Sequence, residues 1–430
     1  MFGGEECNPD CVIYGKTDTA VAETATWFWS LKDQTRKRAA LRIHYALSSA
    51  AEGQRNFDFA ILRPEQLTRI LDANPTRQLQ LEIGTWSAEQ AIILATRPYP
   101  LDLVLVNGDG SEVDSAHDDG TAFIDALVQQ QSLFGSLSIL WYSDEDMVIS
   151  RFNLERLVNL EVFDRLTIRY VDADSVLVAF AAKVKALQYS LHADLIDSDD
   201  FALLNIATKD LSLTLRLDEE VEIDGLLVSI FNRVAQLGQF ESLGITLTHN
   251  GFYRIELEDP AAVAQALIGA LNGNSRLTRL DLYNSESLFI SVSRSKEIFH
   301  AIGKLERLET LDLSIFPPVL DLDADEDGYR YELACQPYYC LVEELLCRNR
   351  NVVVYNGWDQ KVTNRTTIDK LYVLNSFYNG STKLTKKCTD LRFLLFRAAL
   401  MKSASANIQY TGLLLSHHTD VLCEMAASLI

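Results

Sequence analysis

Two copies of one six-residue phrase constrain this chain more than any other feature. Residues 277–282 read LTRLDL and residues 308–313 read LETLDL, so both have the form L-x-x-L-x-L. They lie thirty-one residues apart, and each follows a segment with the apolar spacing of an amphipathic helix. A phrase repeated at such an interval is typical of one supersecondary unit stacked many times. The chain is therefore predicted to contain stacked strand–helix units.

Alternation of apolar and polar residues recurs along most of the chain, and this period of two predicts strands with one buried face. Besides the two phrases, strands are predicted at residues 79–83, 101–105, 137–139, 166–170, 187–191, 211–215, 243–247 and 352–355. Helical segments lie between them, one of which has Asp259 as N-cap and Pro260 at its first position. We predict an α/β fold, an irregular solenoid with parallel strands on its concave face and helices outside. Its core should contain Leu280, Leu282, Leu311 and Leu313.

The ends of such an array need caps, because the terminal units would otherwise expose their apolar faces. We predict three parts: an N-terminal tail and helical cap at residues 1–60, the solenoid at 61–360, and a basic helical cap at 361–430. Residues 19–51 are expected to be helical. Their candidates for burial are Trp27, Trp29, Leu41, Ile43 and Tyr45.

Charge and hydropathy limit the partners and the location. The net charge of −21 argues against nucleic acid as a partner, because binding to phosphates needs clustered Lys and Arg. Residues 361–402 carry nine Lys or Arg against Asp369 and Asp390, and we interpret them as the solvated face of a cap. The chain has no run of eighteen apolar residues and no secretory signal, so a membrane is not an expected partner. Seven cysteines, an odd number, favour reduced thiols and an intracellular, cytoplasmic protein.

The two phrases resemble the ribonuclease-inhibitor-like class of leucine-rich repeats. The asparagine that usually follows the motif is absent, because the following positions read NSES from residue 284 and SIFP from residue 314. Three further phrases look like those of a set of leucine-rich-repeat proteins from diatom genomes, namely residues 94–101, 119–127 and 134–137. The second resemblance covers roughly residues 60–360. It implies a solenoid in a non-secreted context and no particular activity.

One acidic segment matches the first half of an EF-hand calcium loop. Residues 323–328 read DADEDG, which supplies oxygens at positions 1, 3 and 5 and a glycine at position 6. The loop also needs a bidentate glutamate at position 12, where this chain has Ala334, and Glu332 falls two residues short. We therefore predict a solvated insertion without a specific calcium site, whose exposed carboxylates are Asp323, Asp325 and Asp327.

The cysteines show no metal-binding pattern. Cys7 and Cys11 lie near one end, and Cys335, Cys340 and Cys347 form a second loose group. Neither group has the C-x-x-C spacing or the paired histidines of a structural zinc site. Cys340 and Cys347 are expected on one apolar helix face, where cysteine acts as a small hydrophobic residue.

The histidines show no catalytic pattern. His117 lies in a polar loop, and His417 and His418 are expected at the surface of a terminal helix. The chain has no nucleophile turn of the G-x-S-x-G type and no glycine-rich phosphate loop. We therefore predict no enzyme activity and no cofactor.

The candidate binding surface is the strand face opposite the buried leucines, because successive side chains of a strand alternate between faces. Its candidate residues are Thr167, Arg169, Thr214, Arg216, Thr246, Arg279, Asp281 and Asp312, together with Ser138, Ser212, Thr248 and Thr310. We expect a protein-binding scaffold whose partner is another protein. The alternatives are an adaptor or substrate-receptor subunit of a ubiquitin ligase, and an enzyme of another class. A face that is merely solvated fits the same pattern.

Overall fold

The computed structural model describes the chain in segments that form two compact units, residues 1–216 and 217–430. The described residues are 13, 15–32, 40–43, 57–82, 86–106, 118–130, 132–140, 149–217, 222–249, 255, 257–289, 291–313, 328–356, 359–384, 389–404 and 408–427.

The first unit alternates helices and strands. Its elements are α1 (Asp18–Trp29), β1 (Ala40–Ile43), α2 (Pro64–Ala73), β2 (Gln78–Glu82), α3 (Ala88–Ala95), β3 (Leu101–Val106), α4 (Thr121–Gln130), β4 (Gly135–Leu140), α5 (Arg151–Val158), β5 (Phe163–Arg169), β6 (Ala186–His192), α6 (Ser198–Leu203) and β7 (Asp210–Leu217). Three short 3₁₀ helices add to these at Phe59–Ile61, Val178–Ala181 and Ala193–Leu195.

The second unit continues the alternation and then becomes helical. Its elements are α7 (Asp224–Leu237), β8 (Ser242–His249), α8 (Pro260–Gly273), β9 (Arg279–Leu282), α9 (Val292–Ile302), β10 (Thr310–Leu313), α10 (Gly328–Arg348), β11 (Val353–Tyr355), α11 (Thr367–Leu384), α12 (Thr389–Ala404), α13 (Ile408–His417) and α14 (Thr419–Ala427). The predicted N-cap is confirmed, since Asp259 accepts from the amides of Ala261 and Ala262 at 3.1 and 3.0 Å.

Within each unit the paired strands are parallel, and their order follows the chain order. Every predicted strand is present, with its bounds shifted by a few residues at most. Parallel neighbours joined by crossover connections give the predicted α/β class, and sequential strand order is what a solenoid-like fold requires.

The apolar residues of the strands pair with one another across neighbouring strands. Leu137 of β4 lies opposite Leu166 of β5, which lies opposite Leu187 of β6 and then Leu211 of β7. The four core leucines predicted in the second unit are all fully buried, as expected, and they are Leu280, Leu282, Leu311 and Leu313. The alternate positions of β7 are all half-buried, so its second face remains accessible to solvent.

The predicted helix over residues 19–51 is wrong in its second half. The helix α1 ends at Trp29, and Ala40–Ile43 form a strand that pairs in parallel with β2. The period-two alternation of Leu41 and Ile43 was the signal for a strand, but four residues are too few to separate the two periods. Ile43 is buried as predicted, whereas Trp27 is 62% exposed, and Tyr45 lies outside the described residues.

Buried side-chain amides connect consecutive strand–helix units. Asn274, which follows α8, donates to the carbonyl oxygens of Val234 and Ala270 at 2.9 Å each and accepts from the amide of Phe240 at 3.0 Å. Asn349, which follows α10, donates to the carbonyl of Leu305 at 2.7 Å. Both residues stand three positions before the first buried residue of the next strand segment, and their amides bond to backbone groups of the preceding unit.

The first unit has a related connection. Gln90 of α3 donates to the carbonyl oxygens of Phe59 and Leu62 at 2.8 Å each, and it is fully buried. The buried amides lie at helix starts and ends rather than after the L-x-x-L-x-L phrase. They therefore connect neighbouring units from positions other than those directly after the phrase.

Among the described residues, no helix is both long enough and apolar enough to cross a membrane. The C-terminal segment forms four helices, as the predicted helical cap requires. Three of these helices share a small core of Phe396, Leu414 and Val421.

Candidate functional site

In the first unit, the candidate polar residues form rows across neighbouring strands. Ser138, Thr167, Gln188 and Ser212 lie side by side on β4 to β7. The hydroxyl of Thr167 donates to Oε1 of Gln188 at 3.1 Å. A second row places Arg169 beside Ser190 and Thr214. The strand face therefore carries polar side chains in register over these strands, and its second row continues from Arg169 to the half-buried Leu140 of β4.

The carboxyl ends of β5, β6 and β7 bring together four larger side chains, which we call the Tyr170 cluster: Arg169, Tyr170, His192 and Arg216. Tyr170 follows β5 with φ of 55°, in the left-handed region that a bulky side chain rarely adopts. Its amide donates to the carbonyl of Ser190 at 2.9 Å, which fixes this conformation against β6. Backbone strain of this kind is concentrated at binding sites and active sites.

The ring of Tyr170 organises the charged side chains around it. The guanidinium of Arg216 donates to the Tyr170 hydroxyl at 2.8 Å and lies 5.3 Å from the ring centroid, and that of Arg169 lies 5.5 Å from it. The imidazole of His192 lies 5.0 Å from the same ring, centroid to centroid. Each cation–π contact contributes about 0.5–2 kcal/mol. Tyr170 itself is only 8% exposed, so the cluster is held in place before any ligand arrives.

The candidate residues of the second unit form a different arrangement, in which one arginine lies between two carboxylates. Arg279 of β9 bonds to Asp312 of β10 at 3.2 Å and lies 3.8 Å from Asp281. Burial, together with the charge of Asp281, raises the pKa of Asp312 above its ordinary value, and this outweighs the attraction of Arg279. Two carboxylates share one guanidinium here, and the contact between Arg279 and Asp312 connects β9 to β10. Thr246 on β8 is half-buried.

Sequence reasoning found the arginines of the Tyr170 cluster but missed the residue at its centre. Tyr170 was assigned to the end of a strand, and His192 was not considered. The sequence did contain one signal for Tyr170, because an aromatic residue directly follows Arg169 at the end of a strand. The contact between Tyr170 and Arg216 could not be predicted from the sequence, because the two residues lie 46 positions apart.

The cysteine prediction is wrong in detail. Cys335 is the buried residue of the group on α10, whereas Cys340 and Cys347 are exposed. Their seven-residue spacing does place them near one helix face, but that face is turned toward solvent. Within the described ranges, no group of three or more His, Cys, Asp or Glu could hold a metal ion. The acidic segment with Asp323, Asp325 and Asp327, and also Cys7, Cys11 and His117, lie outside the described residues.

The expected surface position of His418 is also wrong. His418 is fully buried, and its Nδ1 atom accepts from Arg392 at 3.1–3.2 Å. Because Nδ1 accepts, Nε2 carries the hydrogen and donates to Ser381 Oγ at 3.1 Å. Burial and the neighbouring Arg392 lower the pKa of His418 below its ordinary value. His417 is half-buried and meets the same Ser381 hydroxyl at 3.2 Å.

Fold and site together define an α/β protein of repeat-like strand–helix units with a polar strand face. No family model matches the sequence, and no curated protein matches it either. The resemblance to leucine-rich repeats therefore stays a prediction.

Proposed function

We propose that this protein is a leucine-rich-repeat scaffold that binds another protein through its strand face, within the cell. The Tyr170 cluster carries the proposal, because arginine is among the residue types that dominate binding energies at protein interfaces, and the buried ring of Tyr170 holds the half-buried Arg169 and Arg216 in place. A cluster already ordered by a hydrogen bond and two cation–π contacts loses little conformational entropy on binding.

The surroundings of the cluster favour a wet, electrostatically guided interface. The rows beside it contain mainly serine, threonine and glutamine, which supply hydrogen bonds, and Leu140 next to Arg169 adds some apolar area. The positive charge at this point contrasts with the chain's net charge of −21. We therefore expect association that weakens as ionic strength rises, since salt screens charges over about 8–10 Å at physiological concentrations.

The test begins with affinity capture from native extract and continues with the purified partner. Wild-type protein is compared with the double variant Arg169→Glu and Arg216→Glu, and with Arg151→Glu as a control. Arg151 lies on α5, is about half exposed and pairs with Glu155 one turn away, so it makes the same change as each substitution of the pair without touching the strand face. The single variants Arg169→Glu and Arg216→Glu match its charge change. We expect the double variant to lose the partner and the control to keep it.

Arg279→Glu serves as a second comparison. Since Arg279 bonds to Asp312 and does not belong to the Tyr170 cluster, we expect a smaller effect on binding than from the double variant. A folded double variant that binds the purified partner as well as wild type does would contradict the proposal. Co-purification of ubiquitin-ligase subunits would identify the scaffold as an adaptor of that class.

A further inference from the structure

The helix α12, which belongs to the four C-terminal helices, has two apolar faces. One face packs inside: Phe396 is fully buried against Leu414 and Val421, and Ala399 and Leu400 pack beside it. This face accounts for the helix's place in the bundle. It leaves the apolar residues on the other side of α12 without a structural role.

The other face exposes large apolar side chains. Leu394 is 63% exposed and Met401 is 71% exposed, and Leu395 is exposed as well. With about 3.6 residues per turn, positions 394, 398 and 401 form one stripe along the helix, roughly opposite Phe396. Ala398 is the exposed residue between the two larger side chains. We call Leu394, Ala398 and Met401 the apolar stripe.

Basic side chains flank the apolar stripe on both sides. By the same helical geometry, Arg397 lies on one side of it and Lys402 on the other, and both are exposed. The wider segment 361–402 has nine Lys or Arg against two Asp, a balance of +7 in a chain of −21. An exposed apolar stripe with cations along its edges offers two contacts that helices in a membrane interface use, apolar side chains for the acyl boundary and basic side chains for anionic headgroups.

We propose that α12 binds the surface of an anionic lipid bilayer, with the apolar stripe in the boundary between headgroups and acyl chains. Arg397 and Lys402 would then extend from the stripe to the lipid phosphates, since long basic side chains keep their charge at the interface while their stems lie along apolar surface. The charge selects anionic lipid over neutral lipid. The shape selects lipid over protein, because the stripe lies on the convex surface of one helix and a bilayer adapts to it without a matching groove.

The acidic remainder of the chain does not prevent this association. At physiological ionic strength, charges act over about 8 Å, so a bilayer beside α12 responds mainly to the local cations. Binding at the surface is distinct from crossing the bilayer. The sequence-based expectation that membranes are not partners was derived from apolar runs, and these cannot show which side of a helix is exposed.

The experiment is vesicle flotation with the full chain. Vesicles of phosphatidylcholine are compared with vesicles that also contain phosphatidylserine, at low and at high salt. We expect binding to the anionic vesicles, weaker binding at high salt and little binding to the neutral ones. Leu394→Glu and Met401→Glu should each lower the partition coefficient about tenfold or more, because burial of one such side chain contributes roughly that factor. Arg397→Gln should lower it about fivefold on anionic vesicles alone.

The matched control is Leu203→Glu. Leu203 ends α6 in the first unit and is 85% exposed, so the variant makes the same change at a site without neighbouring cations on its helix. We expect it to bind vesicles as wild type does. Circular dichroism of each variant verifies that these exposed substitutions leave the helices intact.

Two results would overturn the proposal. The first is wild-type protein that binds neither vesicle type at low salt. If Leu394→Glu then abolishes capture of a protein, the apolar stripe binds a protein partner and not a bilayer. The second is binding to anionic vesicles that Leu394→Glu and Met401→Glu leave unchanged, since the attraction would then come from charge elsewhere.

Discussion

Replacement of Asn274 by alanine tests whether buried amides hold consecutive units together. Asn274 is fully buried, and its side chain makes three hydrogen bonds, to the carbonyls of Val234 and Ala270 and from the amide of Phe240. The substitution removes all three bonds. The carbonyl of Val234 keeps the amide of Gly238 as a donor at 3.2 Å, whereas the buried amide of Phe240 loses its acceptor. The φ of Asn274 is −117°, outside the left-handed region, so alanine brings no left-handed strain to the comparison.

The expected cost follows from the count of bonds. A buried hydrogen bond contributes about 1 kcal/mol net, and a buried group left without its partner costs about 1–3 kcal/mol, so Asn274→Ala should lower the free energy of unfolding by about 3–4 kcal/mol. Asn274→Asp should cost at least as much. The aspartate keeps an acceptor for Phe240 but brings a negative charge against two carbonyl oxygens, because it cannot donate to them.

The matched control is Asn159→Ala. Asn159 also follows a helix and also donates to a backbone carbonyl, that of Glu155 at 2.8 Å, but it is exposed. Its loss should cost about 0.5–1 kcal/mol, since water replaces the partner. Urea unfolding followed by circular dichroism measures the free energies, and hydrogen exchange with mass spectrometry reports on the amide of Phe240. Equal stability of the Asn274→Ala and Asn159→Ala proteins, with unchanged protection of Phe240, would refute the reasoning.

Three further predictions concern single side chains. Leu311→Ala should cost about 2–5 kcal/mol in urea unfolding, because Leu311 is fully buried between Leu280 and Val354 of the neighbouring strands, and an unmoved midpoint would contradict its place in the core. Ser175→Ala should raise the free energy of unfolding by about 1–3 kcal/mol, because the buried hydroxyl of Ser175 has no hydrogen-bond partner among the described residues, and a loss of stability would show that it has one. The raised pKa of Asp312 means that the folded state holds a proton more tightly than the unfolded state does. Its contribution to stability therefore falls as pH rises from about 4 through the folded pKa. Urea unfolding at several pH values should show that the free energy of unfolding of Asp312→Asn increases relative to wild type as pH rises. A difference that stays constant with pH would rule this out.

The parts of the fold that were predictable are those with a local signal. Period-two alternation located strands as short as β11, since each apolar position reports its own burial. The N-cap at Asp259 was readable because capping depends on residues within one turn. Ala40–Ile43 was misassigned because a four-residue strand offers too few positions to separate the helical period from the strand period.

The parts that were not predictable depend on distant contacts. His418 looks like a surface residue in sequence, and its burial depends on Ser381 and Arg392, which lie 37 and 26 positions away. The Tyr170 cluster was found only in part for the same reason. Arginine at strand positions suggested a binding face, but the sequence could not show that Arg216 and Arg169 meet at one ring, whereas Arg279 lies between two carboxylates.

The amide connections limit how the array can grow or shrink. Asn274 joins the end of α7, the amide that precedes β8 and the end of α8, so its three partners span about one whole strand–helix unit. Removal of that unit would delete the asparagine together with its partners, whereas a cut inside it would separate them. A duplicated unit would bring its own asparagine and its own partners. Insertion or deletion of a unit should therefore be tolerated when the cut leaves each asparagine attached to the helix that precedes it.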